Sequence, residues 1–168
     1  MRNSSREGTW VRSSRRRGER ISLQRNAGSE TRIILDTKPI IKLFAEQEGW
    51  AHVRRILQMA EGGAIKAGIS VVTLSEVYYK YLQRWPRVAE ARMEQLRYSP
   101  YLRKIGVDEE VAVKAGELKG RYALPLADAI IASSAHLNGA IVISDDPEFK
   151  KVEEIRVLSE TEFCKSRA

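Results

Sequence analysis

Cysteine is all but missing: Cys164 is the single one in 168 residues. Neither an intrachain disulfide framework nor a Cys-based zinc cluster can therefore be assembled, and a reducing, cytoplasmic setting is the expectation. Histidine is nearly as scarce, and His52 and His136 lack the spacing of a metal-binding pair, which leaves both as surface or helix-packing residues. No apolar run approaches the roughly 18 residues that a membrane-spanning helix needs. Ser14-Arg15-Arg16 resembles the start of a twin-Arg signal, but Gly18-Glu19-Arg20 follows where the apolar stretch should stand, so export is not expected. An acidic surplus is absent too. The net charge is +7 and is unevenly spread, with eight Arg against three Glu in residues 1–30 and near balance afterwards. Such a bias favours nucleic acid or an acidic surface as partner without specifying any chemistry.

What is present divides into two parts. Residues 1–30 are rich in Arg, Ser, Gly and Asn with almost no apolar periodicity, a composition that cannot offset its ordering entropy by burial. This segment is expected to be a disordered basic leader or an RNA-contacting arm. The chain as a whole is 43% hydrophobic, and residues 31–168 are long enough for one compact domain. Short apolar runs alternate with amphipathic stretches, the signature of an α/β domain with a largely parallel sheet. Ile33-Ile34-Leu35 suits a strand covered on both faces. Helical spacing follows over 38–46 and 48–61, with Gly62-Gly63 closing the second. Further strands are expected at 65–72, 101–105, 140–144 and 155–158. Helices are expected at 74–83, 87–96, 108–122 and 126–138, with Pro86 at one joint and Gly139 at the last end.

On this map four acids stand out. Asp36 follows the first strand, Glu76 lies in the turn after the second, Asp128 opens the helix before the fourth, and Asp146 follows that fourth strand. In open parallel sheets, sites form outside the carboxyl ends of the strands. Each acid also has an ordinary explanation. Thr73-Leu74-Ser75-Glu76 fits a capping box, Asp36 and Asp146-Pro147 fit helix caps, and Asp128 suits the positive end of its helix. Four carboxylates meeting at one edge, however, would repel one another unless protonated or bound to a cation. A hard divalent ion such as Mg2+ or Mn2+, which takes oxygen ligands and retains waters, resolves that conflict.

Four segments resemble the acidic motifs of PIN domains. They are Arg32-Ile-Ile-Leu-Asp36-Thr37, Ser70-Val-Val-Thr-Leu-Ser-Glu76-Val77, Leu124-Pro-Leu-Ala-Asp128-Ala-Ile-Ile-Ala132 and Gly139-Ala-Ile-Val-Ile-Ser144-Asp-Asp146-Pro-Glu-Phe149. The match runs in order over about residues 32–158. It implies a three-layer α/β/α sandwich around a mainly parallel sheet and Mg2+- or Mn2+-dependent cleavage of RNA. Within the family the chain is most similar to the small VapC toxins, whose partners are VapB antitoxins. The resemblance carries Asp36, Glu76, Asp128 and Asp146 over as metal-site acids, Ser144 as the hydroxyl beside the last, and Thr37 as a supporting residue. Asp145 leaves that last assignment open by one position. Lys38-Pro39 departs from the Ser or Thr usually found after Asp-Thr, and Lys38 could offset carboxylate charge or touch a phosphate. Lys38, Arg84 and Arg87 are the candidate substrate-binding cations. Tyr78, Tyr79, Tyr81, Leu82 and Trp85 form an aromatic helix face, partly core and partly an interface for a homodimer or an antitoxin helix.

Other readings fit less well. A haloacid dehalogenase-type phosphatase wants a second Asp two residues after the first, where Lys38 stands, and a receiver wants an acid pair that is missing. A PIN-like RNA-processing or RNA-binding module with a weak or silent site is the remaining alternative.

Overall fold

A computed structural model describes residues 30–168. Residues 1–29 of the expected basic segment lie outside the described part. Five strands, β1 (Arg32–Leu35), β2 (Lys66–Ser70), β3 (Leu102–Ile105), β4 (Ile141–Ile143) and β5 (Arg156–Leu158), pair in the order β3-β2-β1-β4-β5. All four pairings are parallel. Seven helices connect and flank them among the described residues: α1 (Thr37–Ala45), α2 (Trp50–Glu61), α3 (Val71–Arg84), α4 (Pro86–Tyr98), α5 (Glu109–Tyr122), α6 (Leu126–Asn138) and α7 (Glu160–Lys165).

The layers follow from strand alternation, since successive side chains point to opposite faces. Ile33 and Leu35 enter one apolar cluster with Ile40 of α1, Val53 and Ile56 of α2, Val77 of α3, Met93 of α4 and Phe163 of α7. Ile34, between them, enters a second cluster with Leu118 of α5 and with Ile131 and Ala132 of α6. A sheet so covered on both faces reads as a continuous apolar run in sequence. The result is a three-layer α/β/α sandwich.

Several boundaries differ from the sequence reading. Val71 and Val72 do not extend β2; they open α3, because Ser70 caps the helix by accepting a hydrogen bond from the Val72 N–H. The β-branched pair favours a strand locally, but a cap and a buried face override so weak a preference. Thr73 is then inside the helix and Glu76 in its second turn, so the expected capping box does not exist. Gly62 keeps φ −74°, and Gly63, at +75°, takes the left-handed turn after α2. Helix α7 was not expected at all, although Ser159 and Glu162 form a full capping box at its start.

The chain order places the switch point of the sheet between β1 and β4, neighbours whose connections leave in opposite directions. Ligands of open α/β sheets bind in the crevice at such a point, outside the strand carboxyl ends.

Candidate active site

Asp36 and Ser144 each follow a strand at that switch point directly, so their side chains rise from adjacent β1 and β4. Asp36 is 4% exposed and Ser144 fully buried. The Ser144 hydroxyl donates to Asp36 Oδ2 at 2.8 Å and accepts from the Asp146 N–H at 3.0 Å, tying the two acidic loops together. Asp36 Oδ1 accepts from the Thr37 N–H at 2.6 Å, so Asp36 does cap α1. Thr37 itself is buried and donates its hydroxyl to Glu76 Oε2 at 2.5 Å, which links the start of α1 to α3. Helix α6 starts on the same edge, as it must to return to the parallel strand β4, and carries Asp128 in its first turn.

The four acids act on one another electrically. Burial pushes the Asp36 carboxyl above the usual Asp range against the pull of the Ser144 and Thr37 hydrogen bonds, and the charges of Glu76 and Asp146 add to the rise. Asp128 is pushed up to about 6, first by burial and then by the negative charges of Asp36, Asp146, Glu76 and Glu148. Asp146 goes the other way. Burial raises it, but the Lys38 ammonium at 2.8 Å and the Glu148 N–H at 3.0 Å outweigh that and hold it low. The structure thus brings Asp36, Glu76, Asp128 and Asp146 into one electrostatic cluster. Perturbation of this kind, by burial and by named charges in a crevice, marks candidate sites.

At positions 145 and 146 the two carboxylates turn to different partners. Asp145 turns to Lys42, whose ammonium lies 2.6 Å from Asp145 Oδ2 and 2.5 Å from Oε1 of the buried Glu160. Asp146 turns to Lys38, and its charge is the one that acts on Asp36 and Asp128. Phe149, fully buried in the second apolar cluster, anchors the loop just after it. Sequence reasoning missed Lys42, Glu160 and Glu148. The Ser159-x-x-Glu162 capping signal could have placed α7, and with it Glu160, but nothing local pairs Lys42 with residues more than 100 positions away.

Other sequence candidates fall elsewhere. Arg84 lies eight residues beyond Glu76 along α3, a helical rise of roughly 12 Å, and stacks on Trp85 at 5.1 Å, while Arg87 stands on α4. Tyr81 is buried against Trp85 and Phe44, with ring centroids 5.0 and 6.0 Å apart, whereas Tyr79 and Leu82 face outward. A groove of about 790 Å³ is lined by Phe44, Trp50, Leu57, Arg92, Tyr98 and Tyr101, among others, and by none of the four acids. His136 pairs its Nδ1 with the Glu154 carbonyl.

Among the described residues, no three acidic, histidine or cysteine side chains stand drawn together as a finished coordination shell. As they lie, Asp146 is turned to Lys38 and Glu76 to Thr37. The donor set nevertheless fits a hard divalent ion: every donor is an oxygen, and two of the carboxylates, Asp36 and Asp128, carry negative charge that burial and their neighbours oppose. Mg2+ in particular uses one or two carboxylates and keeps its waters, so a closed protein cage is not required.

Comparison with known proteins agrees with this architecture. No curated protein matches the chain in sequence. Among solved structures, VapBC2 from Rickettsia felis bound to a promoter DNA fragment superposes with a TM-score of 0.62 at 15% identity, covering 77% of this chain and 98% of that one. DNA-bound VapBC from Salmonella typhimurium gives 0.61 at 22%, with the same two coverages. FitAcB from Neisseria gonorrhoeae gives 0.60 at 22%, again covering 77% and 98%. At these identities the likeness is one of fold. The PIN domain family model matches residues 33–155, which contain all four acids and both strands of the switch point, and the chain belongs to the PIN domain family.

Proposed function

We propose that the protein is a Mg2+- or Mn2+-dependent endoribonuclease, acting as the toxin of a toxin–antitoxin pair. The observation that carries this reading is the grouping of Asp36, Glu76, Asp128 and Asp146 about the β1/β4 switch point, with Asp128 driven up to about 6 by burial and then by its acidic neighbours. A cluster so charged is costly as a purely structural feature, and its oxygen donors suit the cation that phosphodiester hydrolysis uses.

A divalent ion on Asp36 and Asp128, with Asp146 and Glu76 beside them, would acidify a bound water, orient the phosphate and stabilise charge on the transition-state oxygens. The chain's own part is positioning. Ser144 and the Thr37 N–H fix both oxygens of Asp36, and Thr37 holds Glu76, so the acids are preorganised by a buried network. Without a cation Asp128 is pushed up to about 6 by burial and by its acidic neighbours, so its negative charge is one that a bound divalent ion would relieve. Lys38, half-exposed and 2.8 Å from Asp146, offsets carboxylate charge there.

A VapB-type antitoxin and a second copy of the chain are the expected protein partners. The groove lined by Trp50 and Tyr98 and the outward Tyr79 and Leu82 of α3 supply apolar surface for them. The solved relatives of like fold are VapBC and FitAcB complexes.

The test is cleavage of RNA by the purified full chain with Mg2+ or Mn2+. Activity is expected to vanish reversibly with EDTA and to be abolished in Asp36→Asn, which caps α1 about as well as Asp does and so preserves the fold. Metal-independent cleavage, or full activity in the folded variant, would overturn the mechanism. RNA binding without cleavage by the wild type under any divalent ion would favour the silent-module reading.

A further inference from the structure

We infer that the Lys38 ammonium serves as a built-in cation of the acidic cleft, occupying the Asp146 side so that the site takes one divalent ion rather than two. The inference rests on the metal-dependent reading above and refines it.

Lys38 belongs to the same turn as Asp36: Asp36 caps α1, Thr37 opens it, and Lys38 follows, with Pro39 restricting the backbone beyond. From there the side chain crosses the switch point from the β1 end to the β4 end, where its Nζ lies 2.8 Å from Asp146 Oδ2. The other Asp146 oxygen accepts the Glu148 N–H at 3.0 Å. Both oxygens of Asp146 are therefore engaged. Asp36, by contrast, receives only the neutral Thr37 N–H and Ser144 hydroxyl, and Glu76 only the Thr37 hydroxyl. Among the described residues, Asp146 is the acid of the four that has an ion pair.

This divides the cleft into a compensated half at Asp146 and a largely uncompensated half at Asp36 and Asp128, where Lys38 acts on Asp36 only through space and without an ion pair. In two-metal sites the ions stand about 3.5–4 Å apart. An ion on Asp146 Oδ2 would sit about 2.0–2.1 Å from an oxygen already paired with an ammonium, and one on Oδ1 would share that oxygen with the Glu148 N–H. Two cations on one oxygen repel, so either Lys38 leaves or the second ion stays away. The tether favours Lys38, whose effective concentration at Asp146 is set by the helix turn that carries it. The uncompensated half then takes the single ion.

The experiment is Mn2+ titration of the full-length protein, with bound and free ion counted by electron paramagnetic resonance. Wild type is expected to bind one ion per chain, Lys38→Met two, and Lys38→Arg, which keeps the charge, one. Two ions on the wild type, or one ion of unchanged affinity on folded Lys38→Met, overturns the inference and leaves the nuclease reading standing. No Mn2+ on the wild type overturns both. Lys38 is half-exposed, so the variants are expected to fold; Lys38→Gln, also expected to bind two ions, provides a second neutral side chain for the same count.

Discussion

Replacing Asp128 with Asn should stabilise the metal-free protein while destroying its activity. The carboxyl is displaced from an ordinary Asp value of 3.8 to about 6 by burial and by four neighbouring acids. A shift of roughly two units corresponds to about 3 kcal/mol at 1.36 kcal/mol per unit. Asp128 is only partly buried, so solvent screening reduces this to about 1–2 kcal/mol. Loss of a negative charge in the first turn of α6 gives back about 0.3–1 kcal/mol through the helix dipole, leaving a net gain of about 1 kcal/mol. For a domain of this size that is a rise in Tm of about 2–4 °C. The sign follows from linkage. Below 3.8 both folded and unfolded states are protonated and the charge costs nothing; between 3.8 and about 6 the unfolded state loses its proton first, so wild-type stability falls as pH rises through this window. The advantage of Asp128→Asn should be absent near pH 3.5, grow through pH 5, and be complete by pH 7. Thermal and urea denaturation in EDTA, followed by circular dichroism, measures it. A variant less stable than wild type at pH 7, or a difference that does not change with pH, would refute the electrostatic reasoning. Adding Mn2+ should then reverse the order, since only a protein that binds the ion gains from it.

Two further outcomes test the frame around the site. Gly49, at φ +90°, lies so close to Glu160 that a Cβ would run into the carboxylate; Gly49→Ala should cost about 1–3 kcal/mol in urea unfolding, and a neutral result would mean that the α2–α7 junction is looser than described. Lys42→Met strands the Glu160 carboxylate, which is 3% exposed, and should cost about 2–4 kcal/mol. Adding Glu160→Gln should restore most of that in a double-mutant cycle, and strict additivity of the two changes would show that the pair is not coupled.

How far the sequence could be read depended on whether a signal was local. Ile33-Ile34-Leu35 announced a strand buried on both faces, and Pro125 and Gly139 marked both ends of α6 at Leu126–Asn138, because caps and breakers act within a few residues. The start of α3 was misread because Val71 and Val72 favour a strand locally, while Ser70, read as part of that strand, turned out to cap a helix. Six-residue α7 was too short for periodicity to reveal. By itself the sequence determined the α/β class, the order of the motifs and the placing of Asp36, Asp128 and Asp146 at element ends. Only the tertiary structure decided that Thr37 holds Glu76, that Ser144 bridges to Asp36, that Lys42 draws Asp145 away and that Lys38 faces Asp146. The physical reason is the strand order: β1 and β4 are more than 100 residues apart in the chain yet adjacent in the sheet, and charge pairing across that seam depends on distance in space, which no local pattern records.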